Sequence, residues 1–288
     1  MANCVKCGRE LPAFSIGTAS DLCADCRTAA ANNPAFSSPT ASPSARAVAA
    51  RGRPPVTTAL VGINLAVFAV MLLSGVSLLQ PSPQQLLQWG ANWGPLSLGP
   101  QPWRMLTSNY LHVGIIHIFF NMWCLWNLGW LAERVFDRWT YLLIYLSCGL
   151  AGSLASLWWH PLVIGAGASG AIFGVAGALI AALYLGHLPI PKAALQGTLK
   201  SLLAFAGYNL FFGAVGAGID NSAHIGGLVT GLALGAAMAK HLTSSPADRG
   251  RWRSYVFVVA ALVLLLAHGY VRQHRGSIAP AQQRSTPR

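Results

Sequence analysis

Acidic side chains are nearly missing from this chain of 288 residues: there are seven, Glu10, Asp21, Asp25, Glu133, Asp137, Asp220 and Asp248. None falls inside a long apolar run, which excludes the buried aspartate of a Ser–His–Asp triad and leaves an ion path without paired acids. Asp220 alone comes near a histidine, at i−4 from His224, and its place is the loop before the helix. Charge of either sign is scarce, at 9% against 54% hydrophobic residues, and the mean hydropathy is +0.49. A water-exposed globular surface of this size needs more charge, so the composition points to an all-α polytopic membrane protein. Cysteine is sparse too, six in all, and four of them crowd into the first 26 residues. The amino terminus has no apolar stretch resembling a cleaved signal peptide, because the first such run follows a polar, cysteine-bearing segment.

Long apolar runs are what the chain does have. With about 20 apolar residues needed per crossing, seven spans are expected near 57–79, 113–131, 139–157, 169–185, 199–217, 222–239 and 255–270. The net charge of +12 is spread over the loops and not gathered on one helix face, so it argues for positive-inside bias and against nucleic acid as a partner. Arg46, Arg51 and Arg53 precede the first run, Arg134 and Arg138 follow the second, Lys192 and Lys200 border the fifth, and Lys240, Arg249, Arg251 and Arg253 precede the seventh. These are alternate loops, which places the amino terminus in the cytoplasm. Arg272, Arg275, Arg284 and Arg288 then fall outside, against the orientation of a seventh span.

The cysteines form Cys4-Val5-Lys6-Cys7 and Cys23-Ala24-Asp25-Cys26, two CxxC pairs fifteen residues apart. Four thiolates at that spacing close a tetrahedral site for a structural zinc, and a cytoplasmic segment is too reducing for two disulfides to be the better reading. Residues 1–30 are therefore expected to be a zinc-ribbon-like segment, free to meet a cytoplasmic protein partner. Residues 31–55, rich in Ala, Ser and Pro, read as a flexible linker. Cys124 and Cys148 lie in apolar runs as packing residues. Between the first two spans, Trp89, Trp93, Trp103 and Arg104 in a proline-bearing stretch suggest a connection lying at the membrane interface, with Trp89 and Trp93 as an aromatic belt.

Chemistry gathers at three places. Gly165-Ala166-Gly167-Ala168-Ser169-Gly170 sets one hydroxyl among small residues at the start of a run, and Ala223-His224-Ile225-Gly226-Gly227 sets one imidazole at the start of another. A serine beside an imidazole base can attack an amide; a serine alone cannot at neutral pH. His117 and Asn121, at i and i+4, share one helix face, which suits either an oxyanion or ordinary interhelical hydrogen bonds. Gly227, Gly231 and Gly235 recur every four residues, and Gly167, Gly170, Gly174 and Gly177 line the other run, so two backbones can pack closely with or without chemistry.

In order along the chain, Trp103-Arg104, the HxxxN of His117 and Asn121, the GxSG of Gly167–Gly170 and the AHxxGxxxG of Ala223–Gly231 resemble the rhomboid family of intramembrane serine proteases. The resemblance covers residues 56–240 and implies a six-helix core, with 241–288 adding a seventh helix and a polar tail. It implies Ser169 as nucleophile and His224 as base, with His117, Asn121 and the Ser169 N–H at the oxyanion. Gly167 would let the strand-like loop pass close by, and Phe173 would stack on the histidine ring. Gly170, Trp103-Arg104 as the first-loop motif, and His112 match in supporting positions. No cofactor is implied for catalysis, and the substrates would be transmembrane proteins within the lipid bilayer of a cell membrane. An inactive relative that binds membrane helices and a membrane transporter are the rival readings. The sequence departs from the family pattern after Glu133, where Asp137 stands in place of a glycine.

Overall fold

The computed structural model describes Cys7, Asp25, Cys26, Thr28 and residues 54–186, 188, 192–215 and 220–276. The chain divides into two units, Met1–Arg53 and Pro54–Arg288. In the first, Cys4 and Cys23 of the expected zinc site lie outside the described residues, while Cys7 is exposed and Cys26 half-buried.

The described residues of the second unit contain seven long helices: α1 Pro55–Leu73, α2 Ile115–Val135, α3 Arg138–Trp159, α4 Ser169–Leu185, α5 Lys192–Val215, α6 Asn221–Ala239 and α7 Pro246–Arg275. Six are long and apolar enough to cross a membrane, and α4 is a shorter apolar helix. The chain is a multi-pass integral membrane protein. All seven expected runs became helices, with shifted ends: the first stops at Leu73, six residues before its expected end, and the fifth begins at Lys192.

The interior is built on α4, whose residues from Gly170 to Leu183 are nearly all buried. It can sit there because α6 meets it backbone to backbone. A Cβ at Gly227 would overlap the Gly170 carbonyl, one at Gly231 the Gly174 carbonyl, and one at Gly235 the backbone of Ala178. Cys148 of α3 fills the space that a side chain on Gly174 would need, and Gly152 of α3 lies against the Ala223 carbonyl. Lipid tails are as apolar as leucine, so van der Waals packing of this closeness, and not the hydrophobic effect, is what holds membrane helices together. Tyr141, Tyr145 and Phe136 complete the core on the α2–α3 side.

Two acidic residues fix the other end of the bundle. The first N–H groups of a helix have no intrahelical partner, and Pro54, before α1, offers no side-chain cap. Glu133 of α2 supplies one from afar, accepting from Val56 N at 3.0 Å and from Thr57 N and Oγ1 at 2.9 Å each. Asp137 caps α3, accepting from Trp139 N at 3.0 Å and Thr140 N at 3.1 Å, and pairs with Arg253 of α7 at 3.0 Å. The departure from the family pattern at Asp137 thus has a local structural use. α7 packs along α3, where Trp158 meets Tyr270 and His274.

The connection from α1 to α2 is folded and does not merely lie at an interface. It contains short helices at Pro83–Gln88, Gly94–Ser97 and Arg104–Thr107. Arg104 is buried and gathers it: Nη1 donates to Leu87 O at 2.7 Å and Ala91 O at 3.1 Å, and Nε donates to Gln101 Oε1 at 2.6 Å. The Trp93 indole N–H donates to Leu162 O at 3.3 Å, while Trp103 stays half-exposed beneath the Arg104 guanidinium.

Candidate active site

The loop before α4 is held almost as a strand. Asn92 and Gly165 exchange backbone hydrogen bonds at 2.9 and 2.8 Å, and Gly167 N donates to Ser108 O at 2.9 Å. Gly167 has φ of +135°, a conformation open to glycine and strained for any side chain. A Cβ there would also lie 2.7 Å from His117 Cε1 and 3.0 Å from Nε2. The loop therefore passes directly over the His117 ring and delivers the chain to Ser169, the first residue of α4.

α4 has 17 residues, about 26 Å at 1.5 Å per residue, which is short of the roughly 30 Å hydrocarbon core. Its first residue need not reach the membrane surface. Consecutive spans run antiparallel, so α2, α4 and α6 all begin at the same end of the bundle. His117, Ser169 and His224 sit in the first turns of those three helices, which is why the fold brings them together.

Ser169 Oγ lies 2.9 Å from His224 Nε2. The serine is half-buried and the imidazole buried, at 8% exposure. Phe173, one turn along α4, stacks on the His224 ring with centroids 4.3 Å apart and planes within 9°. On the other edge of the ring, His224 Nδ1 lies 3.2 Å from Asn221 Oδ1. Asp220 does not reach the imidazole; its carboxylate accepts from the backbone of Ser222 and Ala223 and from the Ser222 hydroxyl, capping α6. The described acids thus include none in the position of a triad aspartate.

The protonation of His117 follows from its neighbour. Val113 N donates to His117 Nδ1 at 3.2 Å, so the neutral ring carries its hydrogen on Nε2, the edge that faces Gly167 and Ser169. Asn121 uses one N–H to reach the His117 carbonyl at 2.9 Å, which leaves its second for another acceptor; its Oδ1 is buried without a partner among the described residues. His112 is fully buried, edge-on to His117 at 5.3 Å, and burial, with His117 adding to it, pushes its pKa down to about 3. A neutral His112 keeps a second positive charge away from the site.

Ser169, His224 and His117 come together, with Gly167, Gly170, Phe173 and His112 around them, and Asn121 follows His117 one turn along α2. Trp103 and Arg104 stand behind, organising the connection that supports the loop. Reading the sequence missed Asn221, although Asn221-Ser222-Ala223-His224 places it one helical turn before the histidine. It also missed Ser153, a polar residue in an apolar span, whose hydroxyl donates to Met105 O at 2.9 Å and whose carbonyl accepts from Asn92. Among the described residues no cluster of three or more His, Cys, Asp or Glu is arranged to hold a metal ion.

Residues 99–241 match the model of the Rhomboid domain. The chain is 36% identical over 239 residues to "Rhomboid protease GluP" of Bacillus subtilis, covering 83% of this chain and 45% of that protein. It is 39% identical to "RHOMBOID-like protein 6, mitochondrial" of Arabidopsis thaliana, covering 54% of this chain and 50% of that one. It is 31% identical to "Rhomboid protease AarA" of Providencia stuartii, covering 61% and 69% respectively. The chain spans about half the length of the first two of these relatives.

Proposed function

The chain belongs to the rhomboid family, and on that premise we propose that it is an intramembrane serine endopeptidase that cleaves transmembrane protein substrates. The observation that carries this reading is the 2.9 Å contact between Ser169 Oγ and His224 Nε2 in the first turns of two apolar helices. His224 takes the hydroxyl proton as Ser169 Oγ bonds to the substrate carbonyl carbon. The negative oxygen that results is met by His117 Nε2–H, by the second Asn121 N–H and by the Ser169 N–H, which as the first of α4 has no intrahelical partner. On collapse of this intermediate the C–N bond breaks, and His224 gives its proton to the leaving amine. Water, deprotonated by the same imidazole, then hydrolyses the acyl ester and restores the serine.

The site takes its substrate from the bilayer. A helix hides its carbonyls in its own hydrogen bonds, so helix-breaking or small residues near the outer face are the expected cleavage sites. The loop arginines support a cytoplasmic amino terminus in a cell membrane. Labelling by a fluorophosphonate probe, together with cleavage of a transmembrane substrate in liposomes, tests the assignment. Wild type should show both, and Ser169→Ala and His224→Ala should each fall to background with no further loss on combination, since the two act as a unit. Near-wild-type turnover in either variant overturns it.

The tail carries a separate proposal. Cys4, Cys7, Cys23 and Cys26 form a donor set that suits one structural zinc, because four thiolates complete a tetrahedron and leave no place for an activated water. The tail would then recruit a cytoplasmic partner without taking part in cleavage. Stoichiometric zinc in the full-length protein, lost on Cys→Ser changes at these positions with cleavage retained, is the expected result; absence of zinc under reducing conditions overturns the site.

A further inference from the structure

His224 can serve as a base only in one of its two neutral forms, with the hydrogen on Nδ1 and the lone pair on Nε2. A chain of hydrogen bonds leading away from the ring selects that form. The Leu210 carbonyl of α5 can only accept, and Asn221 Nδ2 donates to it at 2.9 Å. With its amide nitrogen committed to Leu210, Asn221 turns its oxygen to His224 Nδ1 at 3.2 Å. An oxygen there requires Nδ1 to carry the hydrogen. Nε2 is then the acceptor for the Ser169 hydroxyl.

The second support of the ring also leads to α5. Phe173, which stacks on His224, rests in turn against Phe205 of α5 with centroids 5.5 Å apart. Gly213, one turn beyond Leu210, makes the approach of Asn221 feasible, since a Cβ there would overlap the Asn221 oxygen and lie 3.0 Å from its nitrogen. α5 faces largely outward: 17% of its apolar window is buried in the protein, between 28% for α1 and 11% for α7. Both groups that orient the imidazole therefore rest on α5.

We propose that Asn221 is a positioning residue that sets the His224 tautomer, fixed in that role by its hydrogen bond to the Leu210 carbonyl of α5. This rests on the protease reading for its effect on rate, but not for its structural content. The decisive measurement is 15N NMR of His224 in wild-type protein in bilayers, without substrate. A neutral ring protonated at Nδ1 is expected, and one mainly protonated at Nε2 overturns the proposal. Asn221→Ala should lower kcat at least about tenfold with KM little changed, and should mix the two tautomers. Asn221→Asp keeps the acceptor and should recover part of the rate. Gly213→Ala, outside the reacting groups, should lower kcat in the same way and add little to Asn221→Ala. Wild-type kcat in both Asn221→Ala and Gly213→Ala overturns the proposal. Because the tautomer is read without substrate, a Nδ1-protonated ring in a protein that cleaves nothing would support the positioning while sinking the protease reading.

Discussion

The rings of Phe173 and His224 lie parallel, 4.3 Å apart, with α4 providing the face on which the α6 imidazole rests. Stacking restrains the ring plane, while the hydrogen bond to Asn221 restrains rotation within that plane. Without a triad carboxylate, these two contacts do the orienting.

Phe173→Leu should reduce kcat by about two- to tenfold, the range expected from losing an aromatic pair worth about 0.5–1.5 kcal/mol. Phe173→Tyr should keep the stacking and most of the rate. Steady-state cleavage in liposomes distinguishes them, and equal rates for wild type and Phe173→Leu would show that stacking does not matter.

His117→Ala and Asn121→Ala should each lower kcat by up to about 10²–10³-fold, as loss of one donor at a developing oxyanion does. Probe labelling should slow but persist, because serine and base remain. Unchanged turnover in both would leave these residues as packing groups only.

Gly231→Leu should destabilise the bundle by at least about 1–3 kcal/mol, since the added side chain must push α6 off the Gly174 carbonyl. Gly197→Leu on α5, where a Cβ meets nothing within 4 Å, is the control. Thermal unfolding in detergent should show a large drop for the first and little for the second. Equal stabilities would contradict the backbone-to-backbone contact.

Asp137→Ala removes the α3 cap and the partner of Arg253 together. It should cost about 1 kcal/mol for the cap, and Arg253→Ala should cost less, because an ion pair still open to solvent, with side chains 24% and 28% exposed, contributes little. Unfolding curves of the two single variants and the double variant measure the split. An Arg253→Ala loss equal to that of Asp137→Ala would make the ion pair the dominant contact.

The order of residues alone dictates the seven helices, through apolar runs long enough to cross or nearly cross a membrane. It also dictates which end of the bundle holds the chemistry, because successive spans alternate in direction and His117, Ser169 and His224 each begin an even-numbered one. The pairing of Ser169 with His224 was legible from residue type together with glycines spaced to let two helices touch. How each imidazole is protonated and held emerges only once the helices are packed. Val113 N sets His117 from the turn before its own helix, and Leu210 sets His224 through Asn221 from a neighbouring helix. Backbone groups make those choices, and every residue has the same ones, so no letter in the sequence marks them. The folded first connection was hidden for a related reason: the Arg104 guanidinium reaches the carbonyls of Leu87 and Ala91, 17 and 13 residues away. Periodicity reports which face of a helix is apolar, but not which distant carbonyl a buried arginine will find.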